Sequence, residues 1–157
     1  VIPSDPASAD FVLVRGTFTV LTADSSETPV TKITRFPSAQ ELMANIEIIL
    51  TECIRNQLPM LVTNPDVFRP DAALSPMPGQ IGALYEKLSN AQIPVEYIGK
   101  PYPSVYRLCK EHFLRHSEGN LDGRYLCIGD SLEHDIQGAN KNGMDSLWIM
   151  NGVHTAE

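Results

Sequence analysis

Hydrophobic and polar residues alternate along this chain with two different periods. Some apolar runs are short, rich in β-branched and aromatic residues and bounded by turn residues, which is typical of buried strands. Other segments repeat an apolar residue every three or four positions, which is typical of helices. The predicted strands are 58–64, 94–99, 124–130 and 145–151, and the predicted helices are 37–57, 80–92, 104–116 and 133–143.

The first third of the chain adds further strand signals. DFVLVRGTFTVLT (10–22) and VTKITRF (30–36) predict two or three strands around a polar turn. The helix at 37–57 has the clearest signals, because Ser38 and Glu41 form an S-x-x-E capping box ahead of its apolar stripe. A proline-rich loop is predicted for 65–79.

Strands that alternate with helices of this length predict an α/β fold with a mainly parallel sheet, covered on both faces. Ligands of such folds bind at the carboxyl ends of the strands. Three polar clusters follow predicted strands: TNPD (63–66), GKP (99–101) and GDS (129–131). The runs YLCIGD and SLWIM are apolar on both alternating sets of positions, so without neighbouring strands they would leave an apolar patch exposed.

Composition narrows the range of partners. The chain has 157 residues, 43% of them hydrophobic, and a formal net charge of -7, which favours a soluble globular protein and argues against nucleic acid or an anionic membrane as partner. No apolar run reaches the length of a membrane span. The three cysteines are spaced far apart without a C-x-x-C pair, which favours a reducing, cytoplasmic location.

The polar clusters also contain the residue types that phosphoryl transfer needs. Asp130 and Asp135 offer hard oxygen ligands that suit Mg²⁺, and Lys100 offers a compact cation that would offset negative charge between a phosphate and a carboxylate. Gly129 is expected to allow a tight turn. Gly138 and Ala139 are expected to let the following helix lie close to the sheet.

Each of these features also has an ordinary structural interpretation. Asp130 or Ser131 could simply cap the following helix, Lys100 could be a solvated turn residue, and Asn-Pro-Asp at 64–66 is a common turn sequence. His112 and His116 stand four residues apart beside Glu111, but in the order E-H-x-x-x-H, which is not that of a zincin. A solvated helix face is expected there.

The motifs together resemble the haloacid dehalogenase (HAD) superfamily. GDSLEHDIQGANKNGMDSLWI resembles its fourth motif and YIGKP its third, while TNPD is similar to a loop of the class IIA, NagD-like phosphatases with an α/β cap. The resemblance implies that Asp130 coordinates Mg²⁺, that Asp135 steadies this site or binds the metal, and that Lys100 contacts the nucleophile and the phosphate. It also implies three substrate-facing residues in the cap: Asn64, Asp66 and Arg69.

The same resemblance predicts a HAD-like fold of two parts. Residues 1–97 would form the α/β cap domain, and residues 98–157 the C-terminal portion of a doubly wound, Rossmann-like core. The family's nucleophile and general acid belong to a D-x-D motif, and the 157 residues contain none. The expectation is therefore a fragment that lacks the N-terminal part of the core.

The implied function is that of a Mg²⁺-dependent phosphatase of a small phosphorylated metabolite, which works through an aspartyl-phosphate. The parent protein would be the enzyme, and this chain alone would be inactive. A non-catalytic remnant that binds phosphate ligands or another protein is the alternative, and a flavodoxin-like module fits the motifs less well. A second copy of the chain or a missing N-terminal segment would complete the core.

Overall fold

A computed structural model describes residues 5–16, 20–23, 31–34, 38–67, 76–116 and 123–152. The chain separates into two compact units, Val1–Tyr97 and Ile98–Glu157. We call them unit 1 and unit 2. Their assignment as cap and partial core stays a prediction.

The secondary structure of the described residues follows the predicted order of strands and helices. The strands are β1 (Val12–Val14), β2 (Val20–Ala23), β3 (Thr31–Thr34), β4 (Met60–Val62), β5 (Val95–Tyr97), β6 (Leu126–Gly129) and β7 (Asp145–Trp148). The α-helices are α1 (Ala39–Arg55), α2 (Pro78–Leu88), α3 (Pro103–His116) and α4 (Gln137–Lys141). A 3₁₀ turn, Pro6–Ser8, precedes β1, and a π-helical turn, Leu132–Ile136, precedes α4.

The described strands form three sheets rather than one. In unit 1, β1, β4 and β5 form a parallel sheet in that order, and β2 pairs with β3 as an antiparallel hairpin. In unit 2, β6 and β7 form a parallel pair. The α/β fold class is confirmed, and the three polar clusters follow β4 and β5 of one sheet and β6 of another.

Helix α1 begins and ends where its sequence predicts. The Ser38 hydroxyl accepts a hydrogen bond from the Glu41 N–H at 3.2 Å, which satisfies one of the free donors of the first turn. At the other end Gln57 has a φ of 55°, and the Leu58 N–H donates to the Cys53 carbonyl. This left-handed ending is the Schellman motif, which satisfies carbonyls of the last turn.

Unit 1 has a continuous apolar core between its parallel sheet and its two helices. Helix α2 packs against α1 and against all three strands of the sheet. Tyr85 is fully buried there, and its hydroxyl donates to the Leu58 carbonyl at 2.6 Å. The buried residues of this core are Val14, Leu42, Ile46, Leu50, Cys53, Leu58, Met60, Val62, Ile81, Tyr85 and Ile93.

Unit 2 has a much smaller core. Among its described residues, the buried apolar cluster consists of Tyr106, Ala139 and Met144. Several large apolar side chains of its two strands, and of the residues after them, remain exposed instead. These are Leu126, Ile128, Leu147, Trp148, Ile149 and Met150. Exposed apolar side chains, as predicted for these two strands, are therefore present on both of them.

No described helix is both long enough and apolar enough to cross a membrane.

Candidate active site

The candidate site is built on the chain reversal that follows β6. Strand β6 ends at Gly129, and the π-helical turn begins at Leu132. The Ser131 hydroxyl caps this turn by accepting a hydrogen bond from the His134 N–H at 3.2 Å. The Ser131 carbonyl accepts from the N–H groups of both Asp135 and Ile136. Ser131 thus fills the capping role that the sequence allowed for either Asp130 or Ser131.

The Asp135 carboxylate lies beneath the end of β6. It is buried, and its Oδ2 accepts hydrogen bonds from the N–H groups of Asp130 at 3.1 Å and Ser131 at 3.0 Å. Any Cβ on Gly129 would collide with this carboxylate. The structure adds a reason for glycine beyond the predicted tight turn: Gly129 leaves space for the Asp135 carboxylate.

Lys100 forms an ion pair with the other oxygen of the same carboxylate. Its Nζ donates to Asp135 Oδ1, while 56% of the lysine side chain stays exposed. Lys100 lies in the short segment between β5 and α3, where Gly99 has a φ of 142° and the Lys100–Pro101 peptide bond is cis. The structure thus brings together Lys100 and Asp135, which are 35 residues apart in the sequence.

The charge of Asp135 is stabilised by its surroundings. Burial alone would raise the pKa of this carboxyl, but the hydrogen bonds from Lys100, Ser131 and Asp130 and the charge of Lys100 outweigh burial and lower it. Asp135 is therefore a carboxylate at neutral pH, with both oxygens engaged. Such a group is suited to holding its neighbours in place.

Asp130 directly follows β6 and is only partly buried. Its main-chain carbonyl accepts a hydrogen bond from the Trp148 indole at 3.1 Å, which ties the loop to the end of β7. Its carboxylate lies against the backbone of Gly152, where a Cβ would collide with it. Asp130 and Asp135 are thus neighbours at the carboxyl end of β6.

Tyr106 supports the same turn from α3 and was not identified from the sequence. Its hydroxyl donates to the His134 carbonyl at 3.2 Å, and burial raises the pKa of this phenol. A Cβ on Gly138 would collide with the Tyr106 hydroxyl. Helix α4 does lie against β7, with Ala139 fully buried, as expected, and Gly138 additionally leaves room for Tyr106. No local sequence signal marks a contact that spans 28 residues.

The predicted substrate-facing residues belong to unit 1 or lie outside the described residues. The Asn64 side chain accepts a hydrogen bond from the Asp66 N–H at 3.2 Å, which is the ordinary turn interaction of an Asn-Pro-Asp sequence. The Asp66 carbonyl accepts from the Gly79 N–H at the start of α2. Arg69 lies in the segment 68–75, outside the described residues.

Within the described ranges, no group of three or more histidine, cysteine, aspartate or glutamate side chains is arranged to hold a metal ion. Mg²⁺ does not require such a group, because it commonly binds through one or two carboxylates and completes its coordination with water and phosphate oxygens. Asp130 is only partly buried, and its carboxylate lies beside Gly152, which has no side chain. Asp130 is therefore compatible with this kind of binding.

Comparison with known proteins matches the C-terminal part of the chain to a family. Residues 97–157 match the HAD-hydrolase-like family. Chronophin from Bos taurus is 33% identical over 101 residues, which make up 62% of this chain and 31% of that protein. The chain thus spans about a third of the length of the curated relatives that it matches.

Solved structures resemble the chain over nearly its whole length. A haloacid dehalogenase-like hydrolase from Brucella suis 1330 is 25% identical with a TM-score of 0.63, covering 96% of this chain and 51% of that protein. NagD from E. coli K-12 shares the fold at 17% identity with a TM-score of 0.53, covering 98% of this chain and 48% of that protein. Residues 97–157 thus match the haloacid dehalogenase superfamily, and the chain as a whole resembles its class IIA, NagD-like members.

Proposed function

We propose that this chain is part of a Mg²⁺-dependent phosphatase that acts on a small phosphorylated metabolite through an aspartyl-phosphate. The observation that carries the proposal is the Lys100–Asp135 ion pair at the end of β6, beside Asp130. Two carboxylates and one ammonium are held at a strand end, and each has a different degree of exposure. That arrangement supports three separate roles.

Lys100 is the group that meets the anion. More than half of its side chain is exposed, so a phosphate can approach the ammonium while Asp135 holds it from below. A unit charge pair at ~4 Å is worth about 4 kcal/mol at an effective dielectric of ~20, before desolvation. An energy of that size is enough to decide whether a phosphate dianion can approach a carboxylate nucleophile.

Asp135 positions this lysine rather than meeting the substrate. Its two oxygens accept hydrogen bonds from Lys100 and from two backbone N–H groups of the loop that carries Asp130. Of the two roles that the resemblance allowed, this supports the one in which Asp135 steadies the site. A single buried carboxylate thereby fixes the cation and the metal-bearing loop with respect to each other.

Asp130 is the residue that would hold Mg²⁺. When bound, the metal would neutralise the phosphate oxygens as charge develops on them. Asp130 would contribute one anionic oxygen, and Gly152 keeps the space around that carboxylate clear of a side chain. The Trp148 indole fixes the Asp130 main chain, so the loop would keep its shape when ligands bind and leave.

Unit 1 is proposed as the cap and unit 2 as the C-terminal portion of the core. Asn64, Asp66 and Arg69 would face the substrate from the cap. The 157 residues contain no D-x-D motif, so we expect the attacking aspartate to come from sequence outside them and this chain alone to be inactive. A cytoplasmic location stays a prediction from the widely spaced cysteines.

The test is a comparison of variants in a polypeptide that also carries the D-x-D motif. Asp130→Ala should raise the Mg²⁺ concentration needed for half-maximal hydrolysis of p-nitrophenyl phosphate. Lys100→Ala should lower kcat with little change in Mg²⁺ activation, because one residue meets the cation and the other the anion. Lys141→Ala is the matched control, since Lys141 is also a unit 2 lysine but pairs with Gln137 on an exposed helix face.

Wild-type activity in both Asp130→Ala and Lys100→Ala would contradict the assigned roles. The 157-residue chain itself gives an independent check. Turnover above that of buffer, abolished by Asp130→Asn, would contradict the expectation that a nucleophile outside these residues is required.

A further inference from the structure

Two histidines lie side by side on the last turns of α3. His112 and His116 are four residues apart, which places them on one face of the helix. Their ring centres are 4.3 Å apart with an angle of 31° between the ring planes. Both residues are exposed. The proposed phosphatase site does not use either ring.

One hydrogen bond fixes which nitrogen of His116 is available to a ligand. His116 Nδ1 lies 2.7 Å from the His112 carbonyl oxygen, and a carbonyl can only accept, so Nδ1 must carry the hydrogen. The lone pair of the neutral ring is therefore on Nε2. An Nδ1–H donated to a backbone carbonyl is the same interaction that orients metal-binding histidines in proteins.

The position of the pair at the end of a helix also favours a cation. The unpaired carbonyls at the end of a helix carry partial negative charge, and His116 is the last residue of α3. Phe113 contacts the His112 ring edge-on, at 5.9 Å between ring centres and 80° between planes, which restricts the freedom of that ring. The neighbouring Glu111 is paired with Arg107 at 3.3 Å, so we do not count its carboxylate as a ligand of the pair.

We propose that His112 and His116 form a chelating site for a borderline transition-metal ion of the Zn²⁺, Ni²⁺ or Cu²⁺ class. Imidazole nitrogen is a preferred ligand of these ions and a poor one for Mg²⁺. With metal–nitrogen distances of about 2.0–2.1 Å, two rings that share one ion have their centres roughly 4.5–5 Å apart. The observed separation needs only a small side-chain rotation to reach that value. Water fills the remaining coordination positions.

The experiment measures Zn²⁺ affinity of the 157-residue chain by competition with a chromophoric chelator, with Mg²⁺ in large excess to occupy carboxylate sites. His112→Gln and His116→Gln should each weaken Zn²⁺ binding by roughly tenfold or more, because the second imidazole binds intramolecularly. Cu²⁺ gives a second measurement: paramagnetic resonance should show two coordinated nitrogens in the wild type and one in either variant.

Two controls separate the pair from other ligands. Cys109→Ser removes an exposed thiol of the same helix, and His134→Gln removes an imidazole outside the pair. Both should keep the wild-type affinity within about twofold: Cys109 lies one helical turn before His112, but the described residues show no group of three metal-binding side chains that would include it or His134. Wild-type affinity in His112→Gln or His116→Gln, with folding verified by circular dichroism, would overturn the proposal. Loss of binding in Cys109→Ser alone would overturn it as well.

Discussion

Strands β4 and β6 are both short strands in parallel sheets, but they are buried to very different extents. In β4, Met60 is 2% exposed and Val62 is fully buried. In β6, Leu126 is 59% exposed and Ile128 is 62% exposed. The first strand has a partner on each edge, and the second is paired with β7 alone among the described strands.

This difference shows that the two units are stabilised in different ways. Unit 1 buries an apolar core between a sheet and two helices, which is the main source of folding free energy. Unit 2 has few buried apolar residues among those described, and its loop after β6 is held by hydrogen bonds and an ion pair around Asp135. The chemistry proposed for this protein is thus concentrated in the unit with the smaller core.

The largest effect we expect is on amide hydrogen exchange. Backbone amides of β4 should exchange at least roughly a hundredfold more slowly than those of β6, because opening free energies follow local burial. Exchange measured by mass spectrometry, with the molecular mass in solution determined by sedimentation, checks this. Equal protection of both strands in a monomer would contradict the comparison. Equal protection in an oligomer would support the second copy of the chain that the sequence suggested.

A buried leucine in unit 1 should show the next largest effect. Leu50 on α1 is 3% exposed, and Leu50→Ala should lower the free energy of unfolding by about 2–5 kcal/mol, because it leaves a cavity in the core. Ile48 on the same helix is 69% exposed and gives a matched control, where Ile48→Ala should change stability by no more than about 0.5 kcal/mol. Urea denaturation followed by circular dichroism gives both values. Similar costs for the two variants would contradict the assigned core.

Removing the charge of Asp135 should destabilise unit 2 by about 1–3 kcal/mol, since Asp135→Asn leaves donors without a charged acceptor. Asp145→Asn is the control: Asp145 pairs with Arg124 at 2.7 Å, but both side chains are largely exposed, so it should cost at most about 0.5 kcal/mol. Trp148, the single tryptophan, provides a fluorescence signal from unit 2. Equal stability of the two variants would show that the buried network contributes little.

The smallest effect compares two buried tyrosines, one in each unit. Tyr85→Phe should cost about 1–2 kcal/mol, because it leaves the Leu58 carbonyl without its 2.6 Å hydrogen bond in the fully buried core. Tyr106→Phe removes a longer bond, 3.2 Å, to the His134 carbonyl, and about 0.5–1 kcal/mol is expected. Denaturation curves of the two variants provide the comparison. A larger cost at Tyr106 would mean that its hydrogen bond to the turn before α4 contributes more to stability than the Tyr85 hydrogen bond in the core of unit 1.

Local signals in the sequence were sufficient for most of the fold. The capping box at Ser38 predicted the start of α1, and the two periods of apolar residues located the strands and helices. The placement of Lys100 near Asp135 came from the resemblance to a family, because no local rule joins two residues 35 positions apart. The division of the strands between separate sheets depends on tertiary contacts and could not be obtained from strand patterns alone.

The details of the site were harder to predict than its location. Gly129 was expected to favour a turn, and it also leaves the space that the Asp135 carboxylate occupies. The contribution of Tyr106 depends on how α3 packs, which its own sequence does not specify. The π-helical turn was predicted as ordinary helix, since both forms use the same residue types and differ only in hydrogen-bond spacing.

The π-helical turn Leu132–Ile136 also sets the direction in which the side chains of the segment point. Compared with an α-helical turn it holds about one extra residue, and each residue of an α-helix advances the side-chain direction by roughly 100°. Deleting Glu133 would return the segment to α-helical spacing, and it would rotate Asp135 away from the end of β6. The extra residue between Asp130 and Asp135 thus turns the Asp135 carboxylate back beneath the end of β6, where it accepts a hydrogen bond from the Asp130 N–H.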